Sequence, residues 1–226
     1  MIASSDVKIK SNEKIPHRIY NVPYEPGFSE ELLVKPAIEG NQLNGLLSLA
    51  EVERVTCQCL LNDTQLLQEL KDFDLLVYEG AALCAVLVGD LLDLPRVVIA
   101  PGSPNGAFAP FHMIPTPVSY VPQQLTGFSC NMTFLQRVVN LGAYFAGQLF
   151  LNMMFSRSVI PLKEKYKIKP EISYQQAVAD VQLMIVLADF ALEYPQPLLP
   201  GMANTTAIIH NEKHYTIQKT KIIMIS

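Results

Sequence analysis

Few residues of this chain combine a reactive type with a setting that could use it, and Glu79 is the first of them. It follows the apolar run FDLLVY at 73–78, the pattern of a parallel strand buried on both faces and ending at a solvent crevice. A carboxylate in that place either accepts or orients a proton, or caps the amide protons of the next helix. Of the four histidines, His17, His112, His210 and His214, the first has no partner acid at a useful spacing and reads as structural. His17 is expected on the surface and His112 in a packing or loop role.

The four cysteines, Cys57, Cys59, Cys84 and Cys130, form no CxxC pair, and the two that are close are one residue apart, too near for an ordinary disulfide. No zinc site is expected, and Cys84 reads as a small hydrophobe on a buried helix. The sequence holds no GxGxxG, Walker loop, HExxH or GxSxG, so the common nucleotide, metalloprotease and serine-hydrolase routes have no anchor in it.

The elements that must position Glu79 are legible around it. Residues 80–92 are small and aliphatic apart from Asp90, as in a crossover helix packed on a sheet, and Pro95 closes the connection before RVVIA at 96–100 begins a second strand. In such a β-α-β unit the ligand crevice lies beyond the carboxyl ends of the strands, where Glu79 and the loop PGSPNG at 101–106 both fall.

Upstream, Met1 to Ser5 resembles the tail of a strand, and residues 17–22, bounded by Pro16 and Pro23, read as an edge strand. Leu43, Leu46, Leu47, Ala50 and Val55 follow helical spacing within 37–61, as one helix or as two interrupted at Gly40 and Gly45. Asn62 or Asp63 then caps a short helix over 64–70. Downstream, 101–122 carries six prolines and must be a long loop. Its Phe108, Phe111, Met113 and Tyr120 either line an apolar substrate pocket or plug the loop onto the core.

Residues 133–155 predict a long helix with Asn140, Gln148 and Asn152 on one stripe, buried or lying on a membrane surface rather than spanning it. Arg157, Lys163, Lys165 and Lys167 mark a solvated surface, and 181–188 a third core strand. The tail beyond Gly201 offers no evident partner.

Half of the 226 residues are hydrophobic, 17% are charged and the net charge is -4, which suits an α/β globular chain. With no basic run, nucleic-acid binding is excluded as an expectation. N-x-[ST] sequons stand at Asn62, Asn131 and Asn204, while the opening MIASSDVKIKSNEK has none of the features of a signal peptide.

Three blocks, FDLLVYEGAALCAVLVGDLLDLP, PTPVSYVPQQLTGFSCNMTFLQRVVN and LEYPQPLLPGM, occur in the order and spacing of one family. Over 1–202 the chain resembles the N-terminal half of the UDP-glucuronosyltransferases and related animal UDP-glycosyltransferases. The resemblance implies the Rossmann-like N-terminal domain of a GT-B glycosyltransferase, taken as incomplete: without the first strand region and without the C-terminal donor domain. The expected domains are a partial acceptor-binding unit at 1–202 and a divergent tail at 203–226.

The implied reaction is inverting transfer of glucuronic acid or another hexose from a UDP-sugar to a lipophilic acceptor, with a histidine as base and an aspartate orienting it. That aspartate's place falls on Glu79 and the family's FPC cysteine on Cys84; none of the four histidines matches the catalytic one. The expectation is therefore a family member inactive alone, with no cofactor or metal of its own and the UDP-sugar a co-substrate of the complete enzyme. The alternative is a non-catalytic ligand-binding or regulatory module that pairs with full-length family members as a homo- or hetero-oligomer. The family's place is the lumen of the endoplasmic reticulum, membrane-associated, with 133–155 as the membrane-surface contact.

Overall fold

The computed structural model describes residues 1–7, 16–28, 31–32, 35, 42–102, 106, 108–123, 126–189, 193–194, 196–204 and 221–225. His210 and His214, residues 37–41 of the expected helix and residues 103–105 of the PGSPNG loop lie outside them. Among the described residues seven strands form one wholly parallel sheet: β1 (Ile2–Ser4), β2 (Arg18–Tyr20), β3 (Leu75–Glu79), β4 (Arg96–Ala100), β5 (Leu183–Val186), β6 (Met202–Asn204) and β7 (Ile222–Ile225). Their order is β2-β1-β7-β3-β4-β5-β6, and the architecture is the α/β, Rossmann-like one expected. Residues 183–186 supply the third core strand, and β2 is the edge strand beside a partly exposed His17.

The β-α-β unit is built as its sequence requires. Strands β3 and β4 pair from Leu76 with Arg96 to Glu79 with Ile99, and α3 (Leu83–Leu92) crosses between them with Leu83 through Asp90 buried. Each Leu or Val so buried contributes about 1.5–3 kcal/mol. The helix ends where Asp93 takes a left-handed conformation, φ 52°, two residues before Pro95. Gly89 lets α3 approach β4, since a Cβ there would stand 2.6 Å from Cδ of Arg96.

Arg96 is the polar centre of this packing. Its guanidinium pairs with Asp90 at 3.1 Å and donates to the carbonyls of Val86 at 3.1 Å and Asp180 at 2.9 Å, which satisfies a cation only 2% exposed.

The chain enters the unit through a pair of consecutive helices. α1 (Gln42–Asn62) is one continuous helix through Gly45, and Asp63 caps α2 (Thr64–Leu70) by accepting from the amide of Leu66 at 2.9 Å. Contrary to the reading of Cys84 as an unbonded hydrophobe, Cys57 of α1 and Cys84 of α3 form a disulfide with Cα atoms 5.3 Å apart. The spacing argument excluded only neighbours in sequence, and packing of α1 on α3 brings together two cysteines 27 residues apart. Cys59 and Cys130 are free thiols.

After the proline-rich loop, Thr133 and Gln136 form a capping box that starts α4 (Phe134–Arg157). Asn140 is fully buried, accepting from the amide of Gln123 at 2.7 Å and donating to the carbonyls of Val118 at 2.7 Å and Val121 at 2.9 Å. One amide thus clamps the loop onto the helix. The expectation of a buried helix fails for the rest of its first two thirds: Phe134, Leu135, Val138, Val139, Phe145 and Leu149 are each more than half exposed.

α5 (Ile160–Lys165) and α6 (Tyr174–Ala179) follow. Lys163, expected on the surface, is buried: its Nζ donates to the carbonyls of Ile168 and Lys169, closing the end of α5. The tail, too, has partners. It extends the sheet through β6, and β7 enters the middle, pairing with β3 from Leu75–Ile222 to Tyr78–Ile225 and with β1 at Ile2–Ile225. The slot between β1 and β3 is therefore filled from the tail, for which the sequence offers no evident partner.

Candidate functional site

The chain runs outward from β1 to β2 on one side and from β3 through β6 on the other, so the sheet's switch point lies between β1 and β3, at β7. Ligands of open α/β sheets bind beyond the carboxyl ends at such a point. Glu79 is there. Its carbonyl accepts from the amide of Ala82 at 2.8 Å and the next amide, Gly80, donates to the carbonyl of Ile99 at 2.9 Å, which turns the chain off the strand. The Glu79 side chain is left exposed, with no hydrogen bond or ion pair to another described residue.

Capping of α3, the other role open to Glu79, belongs instead to Glu53. The N-cap residue Ala82 has no side chain able to cap, and Glu53 of α1 reaches across to accept from the amide of Cys84 at 3.1 Å. Burial raises its carboxyl to about 7, opposed by the amides of Cys84 and Leu83 that favour its charged form. This residue gives no signal in sequence, because its target lies 31 residues on.

Beneath the rim of Gly80 and Ala82 lies a cavity of about 10 Å³, room for one water molecule, lined by Tyr78, Leu83, Val86, Phe108, Phe111, His112, Phe155, Tyr174 and Val178. The proline-rich loop supplies one wall of it through a short 3-10 turn, Ala109–His112, which begins at a proline-bearing step and ends where Met113 turns left-handed, φ 60°. Phe111 packs edge-on to Phe155 with centroids 4.9 Å apart, and Phe155 edge-on to Tyr174 at 5.1 Å. Phe108 and Phe111 line the cavity, and Phe111 also packs on the core, as the second reading of the loop has it. Met113 and Tyr120 do not line it; they are 73% and 41% exposed.

His112 enters the site as a packed residue, in the role expected for it. Desolvation pushes its imidazole down to about 4, so the ring is neutral at pH 7, and its Nδ1 has no hydrogen-bond partner among the described residues. Desolvation likewise raises the Tyr78 phenol to about 12. At the carboxyl end of β4, a Cβ on Gly102 would lie 3.4 Å from Oε1 of Glu193, which puts a second acid at this end of the sheet. Glu193 lies within the LEYPQPLLPGM block, whose spacing could have singled it out. Among the described residues no group of three or more His, Cys, Asp or Glu is placed to hold a metal ion.

Comparison with known proteins decides the family. The family model described as UDP-glucoronosyl and UDP-glucosyl transferase matches residues 18–223. The chain belongs to this family. UDP-glucuronosyltransferase 1A6 of Homo sapiens is 29% identical over 224 residues, covering 89% of this chain and 40% of its own length. UDP-glucuronosyltransferase 1A8 of Homo sapiens is 32% identical over 148 residues, 65% of this chain and 28% of its own length. For UDP-glucuronosyltransferase 1A6 of Mus musculus the figures are 33% over 154 residues, 65% and 27%. The chain thus spans two fifths or less of the length of these UDP-glycosyltransferase relatives. No solved structure matches it.

Proposed function

We propose that this chain is the acceptor-side domain of a UDP-sugar-dependent glycosyltransferase, holding a lipophilic alcohol or phenol for transfer of glucuronic acid or another hexose. The observation that carries this reading is an aromatic-lined cavity opening beside Glu79 at the switch point of a parallel sheet. The cavity admits only the tip of such an acceptor, so its body lies across the rim, against Phe108. Glu79, free of other partners among the described residues, serves as the acid that orients a base. No residue of this chain is assigned to the sugar nucleotide, and turnover belongs to a complete enzyme to which this chain supplies the acceptor wall.

The disulfide supports folding in an oxidising compartment, and Asn131 offers an exposed sequon, both in keeping with the lumen of the endoplasmic reticulum. The apolar face of α4, without a charged residue from 138 to 156, suits the membrane surface there.

Fluorescence titration of the purified chain with 1-naphthol tests the reading. Saturable binding, weakened by Phe108→Asp, is expected; a linear, unsaturated response would remove it. The same exposed face favours a second reading, a non-catalytic module that pairs with a full-length relative. Co-expression with such a relative decides it, since absence of co-purification together with an unchanged conjugation rate excludes the pairing.

A further inference from the structure

Tyr78 is 2% exposed, yet its Oη has no hydrogen-bond partner among the described residues. The Nδ1 of His112 is in the same condition, and both side chains line the same cavity. A buried polar atom left unpaired is costly and uncommon, so two on one cavity point to something that satisfies both. The other polar group on the wall, the Tyr174 hydroxyl, is already committed, donating to the carbonyl of Leu83 at 2.9 Å. The other side chains on the wall are apolar, and the charges nearest the Tyr78 phenol, Arg96 and Asp90, act on it in opposite senses and are paired with each other, so a neutral occupant fits best.

The requirements on the occupant are narrow. It must fit a space of about 10 Å³, accept one hydrogen bond from a phenol and give one to the acceptor nitrogen of a neutral imidazole. We propose that Tyr78 and His112 form a site for a single neutral hydroxyl group, which accepts from Tyr78 Oη and donates to His112 Nδ1. Water supplies that hydroxyl in the free chain, and the hydroxyl of a lipophilic alcohol or phenol entering past Gly80, Ala82 and Phe108 replaces it. The ligand half of this proposal rests on the acceptor-side reading above, whereas the water half stands on the cavity itself.

The test is NMR of the whole chain at neutral pH, following the ring nitrogens of His112 and magnetisation transfer from water to its ring protons. A water cross-peak at His112, absent in Tyr78→Phe, is expected. Addition of 4-methylphenol is expected to shift the Nδ1 resonance saturably and to remove the water cross-peak, whereas toluene, the same shape without a hydroxyl, does neither. A cross-peak that persists at saturating 4-methylphenol overturns the replacement of water by a ligand hydroxyl. Thermal unfolding of Tyr78→Phe gives the independent check: an unchanged or lower melting temperature is expected. The proposal is overturned by a higher one, since removing an orphaned hydroxyl stabilises a core. It is equally overturned if neither water nor 4-methylphenol reaches His112, or if toluene reproduces the shift. Failure of 1-naphthol to bind at the rim leaves the water cross-peak untouched, so the two readings fail separately.

Discussion

Burial raises the Glu53 carboxyl from 4.5 to about 7 and lowers the His112 imidazole from 6.5 to about 4, so the two act in opposite senses over one pH range. For Glu53 the unfolded chain is the stronger acid; the stability it gives is full below 4.5 and is lost as pH rises toward 7. For His112 the unfolded chain is the stronger base; its contribution is full above 6.5 and is lost as pH falls toward 4. Each is on the order of 1–3 kcal/mol, with the lower end suited to side chains that keep some solvent. Relative to the parent chain, Glu53→Gln is expected to gain stability with rising pH between 4.5 and 6.5, and His112→Asn to lose it. Urea unfolding at several pH values measures both, and difference curves of the same sign would sink the assignment. Of these residues, Glu79 was legible at its strand end because a strand's end is a local signal, whereas Glu53 was not, because a residue that caps another helix looks like any helical glutamate.

Among the elements, α3 and β4 are the pair whose contact the sequence specifies most fully, through Gly89 and Pro95. Gly89→Ala places a methyl group against the stem of Arg96, and the shift it forces threatens the pairing with Asp90. A loss of about 1–3 kcal/mol is expected from such overpacking, read as a lower denaturant midpoint with unchanged slope. A variant as stable as the parent would mean that Arg96 has room to yield. The capping box before α4 was not needed to find that helix, since its periodicity sufficed. Which side of it is buried was not decided by periodicity: apolar residues surround most of its circumference, and only contact with the loop at Asn140 and with α1 and α5 selects a face.

At the scale of the molecule, β7 holds two groups of strands together. Without it β1 and β3 would stand about two strand spacings, roughly 9.6 Å, apart, beyond any hydrogen bond. Deleting residues 221–226 is therefore expected to strip hydrogen-exchange protection from β1 and β2 while β4 and β5 keep much of theirs. Protection retained at Ala3 and Tyr20 in that deletion would show that the tail strand is dispensable.

The chain's own order of residues determined the β3-α3-β4 unit, the acid at its end, the caps of α2 and α4 and the family blocks, because each depends on neighbours a few positions apart. Tertiary structure alone decided that the tail strand pairs at the centre of the sheet, that Cys57 meets Cys84, that Glu53 caps α3, and that Tyr78 and His112 face one cavity. Those pairings join residues from 27 positions apart, Cys57 and Cys84, to 223 apart, Ile2 and Ile225 (225 − 2), and no local periodicity or spacing records a contact made at that distance.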